Sequence, residues 1–90
     1  EVINVGGLKF MASEVERIAL QFEGVELVKA EGKPNPITGQ HVEINIQSLF
    51  NTKIDKGQIK KFLSDNLEKH MVPKRIKITN VAVGHRFKKV

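Results

Sequence analysis

The chain contains no cysteine, and this absence restricts how its 90 residues can fold. A chain of this length forms one small domain with a modest hydrophobic core, and many small domains add disulfides or a thiolate-bound metal. Neither is available without cysteine, so the fold must be held by packing of apolar faces or by a neighbouring domain. The length also leaves too little room for a catalytic domain with its own buried substrate cleft.

Positive charge is concentrated in the second half of the chain. Residues 1–51 hold four Lys and Arg against seven Asp and Glu, whereas residues 52–90 hold eleven against three. Such a half attracts anions, which include nucleic acids, anionic membrane surfaces and phosphorylated ligands such as nucleotides or coenzymes. A small basic nucleic-acid-binding module is therefore one alternative function. It is disfavoured because Phe is the only aromatic residue type present, a poor supply for stacking on bases.

The sequence carries no sign of a membrane span or a secretory signal. No apolar run approaches the roughly 20 residues that cross a bilayer, and the first residues lack the basic and apolar regions of a signal peptide. We therefore expect a soluble, cytoplasmic protein. The chain begins with Glu1 rather than Met, so we also interpret it as a piece of a longer polypeptide.

Short segments in which apolar and polar residues alternate predict most of the strands. Two extended pieces, Val2–Val5 and Leu8–Phe10, flank Gly6-Gly7, where positive φ is readily adopted and a hairpin turn is favoured. Two further strands are predicted at Val25–Ala30 and His41–Gln47. The first of these is predicted to place Val25, Leu27 and Lys29 on one side.

Capping-box spacings predict two helices. Ser13 with Glu16 three residues later predicts a first helix that begins there and stops at Gly24, and Asp55 begins a second that runs to about Leu67. Each helix has an apolar stripe at helical spacing. The predicted stripes are Val15, Ile18, Ala19 and Phe22 in the first helix and Ile59, Phe62, Leu63 and Leu67 in the second.

The remaining segments complete the predicted fold. Residues 32–39 are rich in Gly and Pro and predict an eight-residue connection between two strands, and Arg75–Thr79 predicts a last strand after Pro73. The order is that of a single α+β domain over residues 1–90. It has an N-terminal β-hairpin and a small sheet of mixed or antiparallel strands that carries two amphipathic helices.

The residues that usually carry chemistry are scattered. His41, His70 and His85 lie far apart without the spacing of metal ligands, so no metal site is expected. Ser13 and Ser48 lack the sequence of a nucleophile elbow. Residues 84–89, Gly-His-Arg-Phe-Lys-Lys, form the stretch richest in chemically active side chains, which is either a solvated basic tail or a loop that reaches an anionic group.

Five short motifs follow one another along the chain. They are residues 3–10 (INVGGLKF), residues 13–16 (SEVE), Gly24-Val25, residues 32–36 with Gly39, and residues 71–74 (MVPK). Their order and spacing resemble the C-terminal domain of the adenylate-forming enzymes, which include acyl-CoA synthetases, aryl-CoA ligases, peptide-synthetase adenylation domains and luciferases. The resemblance covers essentially the whole chain. Each motif alone is weak, and the five together are specific.

The resemblance implies a role for a lysine near the C-terminus. In that family one lysine enters the active site of a large N-terminal domain, and the matching position here is Lys88. Its ammonium would bridge the substrate carboxylate and the α-phosphate of Mg-bound ATP as the acyl-adenylate forms. Phe87 stands where the family usually has Gly, so His85, Arg86 and Lys89 stay open as the residues that reach the phosphate.

The resemblance also gives the glycine turn a function. In members that use coenzyme A (CoA), the domain rotates after adenylation and presents the turn, here Gly6, Gly7 and Leu8, to the pantetheine channel. The other interpretation is that the two glycines simply make a tight turn. The implied partners are the large domain of the same chain, a carboxylic acid, and CoA or a carrier protein's phosphopantetheine. A free-standing domain that acts in trans on a partner synthetase is a further alternative, and the isolated domain is expected to be inactive.

Overall fold

A computed structural model describes residues 1–80, in which two helices and a three-stranded sheet follow a two-stranded hairpin. The predicted α+β class, with its N-terminal hairpin and two helices, is confirmed. In chain order the elements are β1 (Val2–Val5), β2 (Leu8–Met11), α1 (Ala12–Ala19), β3 (Val25–Asn35), β4 (Gly39–Ser48), α2 (Lys56–Asn66), a 3-10 turn (Lys69–Met71) and β5 (Arg75–Thr79).

The three-stranded sheet is mixed, with β4 in its centre. β3 pairs with β4 in antiparallel fashion, and β5 pairs with β4 in parallel. A parallel pair needs a crossover connection, which α2 supplies. In the resulting register Ile44 lies between Ala30 of β3 and Ile76 of β5, and all three side chains are buried.

The hydrophobic core lies between the inner face of this sheet and the two helices. Apolar residues of β4 alternate as predicted, so that Val42, Ile44 and Ile46 are buried. The rings of Phe22, after α1, and Phe62, in α2, pack 5.4 Å apart between their centroids. The other buried apolar residues are Ile3, Phe10, Ala12, Val15, Ala19, Val25, Ala30, Ile54, Ile59, Leu63, Met71 and Ile76.

The first helix begins earlier than predicted, and the Ser13–Glu16 capping box is wrong. α1 starts at Ala12, directly after β2, and Glu14 accepts a hydrogen bond from the Met11 backbone N–H at 2.9 Å. Glu16 instead accepts one from the Ala30 N–H of β3 at 2.9 Å. Burial of Ala12 in the core moves the start of the helix, so tertiary packing overrides the local capping signal.

The end of the first helix also differs from the prediction. α1 ends at Ala19 rather than continuing to the stop at Gly24, although Phe22 still packs against the core. Gly24 does form the predicted turn into β3, with φ of 97°. A Cβ at this position would lie 2.9 Å from Cγ2 of Thr52, so both the backbone angle and the close approach of residue 52 require glycine.

The predicted eight-residue connection between β3 and β4 is wrong. β3 continues to Asn35 and β4 begins at Gly39, so the two strands form one long hairpin with a turn of residues 36–38. The Asn35 carboxamide oxygen accepts hydrogen bonds from the backbone N–H groups of Ile37 and Thr38. This side-chain turn lets a Pro-rich segment reverse direction in three residues.

The predicted facing of β3 is wrong at Leu27. The register of β3 against β4 shifts between Val25 and Leu27, which is a β-bulge. Val25 and Ala30 are buried, whereas Leu27 is 58% exposed. The extra residue of a bulge turns the following side chains to the other face of the sheet, and the alternation of the sequence did not signal it.

The second helix and the last strand agree with the predictions. Asp55 caps α2 by accepting a hydrogen bond from the Gln58 N–H at 2.9 Å, and Ile59 and Leu63 are fully buried. β5 has the predicted bounds. No helix within residues 1–80 is long and apolar enough to cross a membrane.

Candidate functional site

The glycine turn joins β1 to β2 at one end of the molecule. Gly6 and Gly7 both have positive φ, 60° and 89°, which is typical of the tightest hairpin turns and which other residues rarely adopt. The side chain of Asn4 accepts a hydrogen bond from the Gly7 N–H at 2.9 Å. A Cβ on either glycine would meet no atom of the described domain within 4 Å. Backbone conformation, rather than crowding within this domain, is therefore the internal reason for glycine here.

The turn between β3 and β4 is hydrogen-bonded to the first hairpin, which carries the glycine turn. The carbonyl of Thr38 accepts a hydrogen bond from the Gly6 N–H at 2.8 Å. Two residues further on, the Gln40 carboxamide oxygen accepts one from the Asn4 N–H at 2.7 Å. These two contacts join segments more than 30 residues apart, so the position of the glycine turn depends on the end of the long hairpin.

An open hollow lies beside the glycine turn. Three segments line it: the first hairpin through Val5, Gly6 and Leu8, the second turn through Thr38, and the 3-10 turn through Lys69 and His70. Leu8 is 54% exposed, and the ring of His70 packs edge-on against that of Phe10. The hollow thus combines an apolar wall and small backbone groups with one cationic side chain. The three predicted residues of the turn lie together, and two of them, Gly6 and Leu8, line this hollow.

A second, basic hollow lies next to the first. It is formed by α2, the 3-10 turn and the segment that leads into β5, and three lysines and Ser64 are among the residues that line it. Within residues 1–80 no Asp or Glu lines it, and the lining residues are Lys60, Ser64, Leu67, Lys69, Val72, Pro73 and Lys74. Lys69 lines both hollows, so they are neighbours. Sequence reasoning missed these lysines, and the positive charge of residues 52–90 was the signal that could have indicated them.

A polar network lies on the sheet face opposite the core. Asn35 Nδ2 is 3.2 Å from His41 Nδ1, and His41 Nε2 is 3.0 Å from a Glu43 carboxylate oxygen. The hydrogen bond from His41, with a smaller effect of the Arg75 charge, lowers the pKa of Glu43 below its usual range. Within residues 1–80 no three His, Asp or Glu side chains are grouped as metal ligands would be.

The predicted residues of the C-terminal run, Lys88 with His85, Arg86 and Lys89, lie outside the described residues. The described chain ends at Asn80, whose side chain accepts a hydrogen bond from the Ile54 N–H at 3.0 Å. Thr79 pairs with Gln47 near the end of β4, whereas the glycine turn lies by the beginning of β4. Asn80, the last described residue, is therefore roughly 30 Å, about the length of β4, from the glycine turn.

Two curated relatives share substantial sequence identity with the chain. One is a 3,4-dihydroxybenzoate–[aryl-carrier protein] ligase of Bacillus anthracis, 38% identical over 77 residues, which cover 84% of this chain and 18% of that protein. The other is an oxalate–CoA ligase of Arabidopsis thaliana, 32% identical over 80 residues, which cover 89% of this chain and 16% of that protein. The chain thus spans less than a fifth of the length of these relatives. No family model matches it.

Solved structures agree on the fold. The amide bond synthetase McbA of Marinactinospora thermotolerans superposes with a TM-score of 0.81 at 20% identity, covering 88% of this chain and 16% of that one. The arrangement of hairpin, mixed sheet and two helices is therefore that of a small domain within a much larger chain. The chain belongs to the adenylate-forming superfamily of acyl- and aryl-CoA ligases and corresponds to its C-terminal domain.

Proposed function

We propose that this chain is the mobile C-terminal domain of an AMP-forming acid–thiol ligase of the acyl-CoA synthetase type. Such a ligase joins a carboxylic acid to a thiol in two steps. A carboxylate oxygen first attacks the α-phosphorus of ATP, which gives acyl-AMP and releases pyrophosphate. The thiol sulfur then attacks the acyl carbon, which forms the thioester and releases AMP.

The observation that carries this proposal is the nature of the two curated relatives. The name of each couples a carboxylate, dihydroxybenzoate or oxalate, with an acceptor, and each matches nearly all of this chain within less than a fifth of its own length. The same chemistry for this chain requires a large domain that binds the acid and ATP. The acid itself would be selected there.

In the first step we assign Lys88 to the adenylation site. A lysine ammonium is a flexible point charge, suited to offset the repulsion between an incoming carboxylate and the α-phosphate.

In the second step we assign the turn of Gly6, Gly7 and Leu8 to the pantetheine channel. The separation of the glycine turn from Asn80 supports two working positions, because one orientation of the domain brings one end of the sheet to the large domain.

The basic hollow favours CoA over a carrier protein as the acceptor. The relatives divide on this point, since one name specifies an aryl-carrier protein and the other CoA. CoA carries phosphates beyond its pantetheine arm, and Lys60, Lys69 and Lys74 offer cations without a lining carboxylate for them. Because this hollow shares Lys69 with the one beside Gly6, we propose that a single ligand places its arm in one and its phosphates in the other.

The proposal is tested by the two half-reactions of the complete ligase with Lys88→Ala. We expect acyl-adenylate formation to slow by orders of magnitude, because the removed charge acts in that transition state. Thioester formation from supplied acyl-AMP should stay close to that of the wild type. Lys89→Ala is the matched control, since it removes a neighbouring charge and should leave adenylation largely intact.

Two results would contradict this assignment. Equal loss in both half-reactions would show that Lys88 is not specific to adenylation. Normal adenylation in Lys88→Ala with a large loss in Lys89→Ala would move the role to the next lysine. The size of the native polypeptide in the source cells, measured with an antibody to this domain, separates a two-domain ligase from a free-standing domain of about 10.1 kDa that acts in trans.

A further inference from the structure

We propose that Glu43, His41 and Asn35 form a hydrogen-bonded relay that positions the glycine turn for the thioester-forming step. The relay starts on the open face of the sheet and ends at the Gly6 N–H. None of its side chains needs to touch a substrate, so these are positioning residues. This inference rests on the proposed function, in which the glycine turn faces the pantetheine channel.

The orientation of Asn35 is fixed by the backbone. Its carboxamide oxygen accepts hydrogen bonds from the N–H groups of Ile37, at 2.9 Å, and Thr38, at 3.1 Å. Only the oxygen of a carboxamide can accept, so the NH₂ group must point the other way. It lies 3.2 Å from Nδ1 of His41 and donates to it.

The orientation of Asn35 in turn fixes the tautomer of His41. Because Nδ1 accepts from Asn35, the proton of the neutral ring is on Nε2, which donates to the Glu43 carboxylate at 3.0 Å. Glu43 therefore holds the imidazole with its accepting nitrogen toward Asn35. The side chains of His41 and Glu43 are only 18% and 20% exposed, so water competes weakly for these bonds.

The last step leads from the β3–β4 turn to the glycine turn. Asn35 holds the N–H of Thr38, and the carbonyl of the same residue accepts the Gly6 N–H at 2.8 Å. A shift of residues 36–38 therefore moves the acceptor of the glycine turn. Positioning errors of about 1 Å at a reacting site lower the rate by a large factor. Loss of a hydrogen bond on the open face of the sheet is therefore expected to impair thioester formation.

The test compares His41→Ala with His41→Asn in the complete ligase. An alanine removes the acceptor for Asn35, whereas an asparagine places its side-chain oxygen close to where Nδ1 was. We expect His41→Ala to raise the KM for the thiol about fivefold in thioester formation from supplied acyl-AMP, a factor expected from loss of one hydrogen-bond link. His41→Asn should have a KM for the thiol close to that of the wild type. The rate of adenylation should be unchanged in both variants. Asn45→Ala, at an exposed position of the same strand, is the control.

Three outcomes overturn the relay. They are an unchanged KM in His41→Ala, no rescue by His41→Asn, and an equal effect on both half-reactions, which would indicate a general loss of folding. Failure of the proposed function is distinguishable, since a wild-type ligase would then form neither acyl-AMP nor thioester. Amide hydrogen exchange gives a readout independent of activity: exchange at Gly6 should be faster in His41→Ala than in Asn45→Ala, and equal rates would also contradict the relay.

Discussion

At the scale of single residues, Glu43 links the stability of the domain to pH. Its pKa is lowered chiefly by the hydrogen bond from His41, with smaller contributions from the charges of Arg75 and Lys33. A carboxyl group with a lower pKa in the folded state stabilises the fold when ionised. This contribution is present above the pKa of the unfolded chain and is lost as the pH falls through the folded pKa.

We therefore expect Glu43→Gln to unfold more readily than the wild type near neutral pH. The difference in the free energy of unfolding should shrink as the pH falls through the acid range in which Glu43 becomes protonated, because both proteins then carry a neutral side chain. Urea denaturation at a series of pH values measures it. A difference that stays constant down to the most acidic pH would contradict the assignment.

Single residues also show the limit of what the sequence predicts. The positive φ of Gly6 and Gly7 is predictable because adjacent glycines favour one kind of turn. The partner of Glu16 is not, because Ala30 lies fourteen residues further on and is reached only when α1 packs on β3. The network of Asn35, His41 and Glu43 was missed for a similar reason. These residues lie close together only when β3 and β4 pair in the observed register, which was not predicted.

At the scale of elements, α1 offers a direct test of the corrected helix start. Glu14→Ala should destabilise the domain by about 0.5–1 kcal/mol, since it removes the acceptor for the Met11 N–H. Ser13→Ala should be neutral or slightly stabilising, because Ser13 lies inside the helix and alanine is the better helix former there. Thermal unfolding of the two variants measures both effects. A larger loss for Ser13→Ala would restore the capping box predicted from the sequence.

The strands β3 and β4 show why element boundaries were harder to predict than element types. Residues 32–35 contain Gly, Pro and Asn, which are typical of turns, yet they pair with residues 39–42 along the hairpin. Pairing with the opposite strand determines the conformation of these residues, and a short stretch of sequence does not reveal that pairing. α2 and β5 were predicted well because capping, Pro73 and apolar spacing all indicate the same bounds.

At the scale of the whole molecule, the two neighbouring hollows, which share Lys69, predict a preference between acceptors. In the complete ligase, Lys60→Glu should raise the KM for CoA about fivefold, which is typical of one exposed charge contact. The KM for pantetheine, which lacks the nucleotide phosphates, should not change. Lys53→Glu is the control, because Lys53 is exposed but does not line the hollow. The effect should also weaken as salt is added.

Equal effects of Lys60→Glu on CoA and pantetheine would show that the basic hollow does not contact the phosphates. This surface could not be located from the sequence, although its charge was evident. Lys60, Lys69 and Lys74 lie on three different segments and come together only through the crossover between β4 and β5. The family, in contrast, was accessible from the sequence, because its motifs are local.

The central strand β4 has a consequence for timing. It runs from the end of the sheet near the glycine turn to the end near Asn80, and its pairing with β3 and β5 on either side makes it rigid. On the proposed function the two ends then move as one body, so bringing one end to the large domain withdraws the other. Adenylation and thiol attack would be mutually exclusive in time, and a reactive intermediate would meet its acceptor only after the first step is complete.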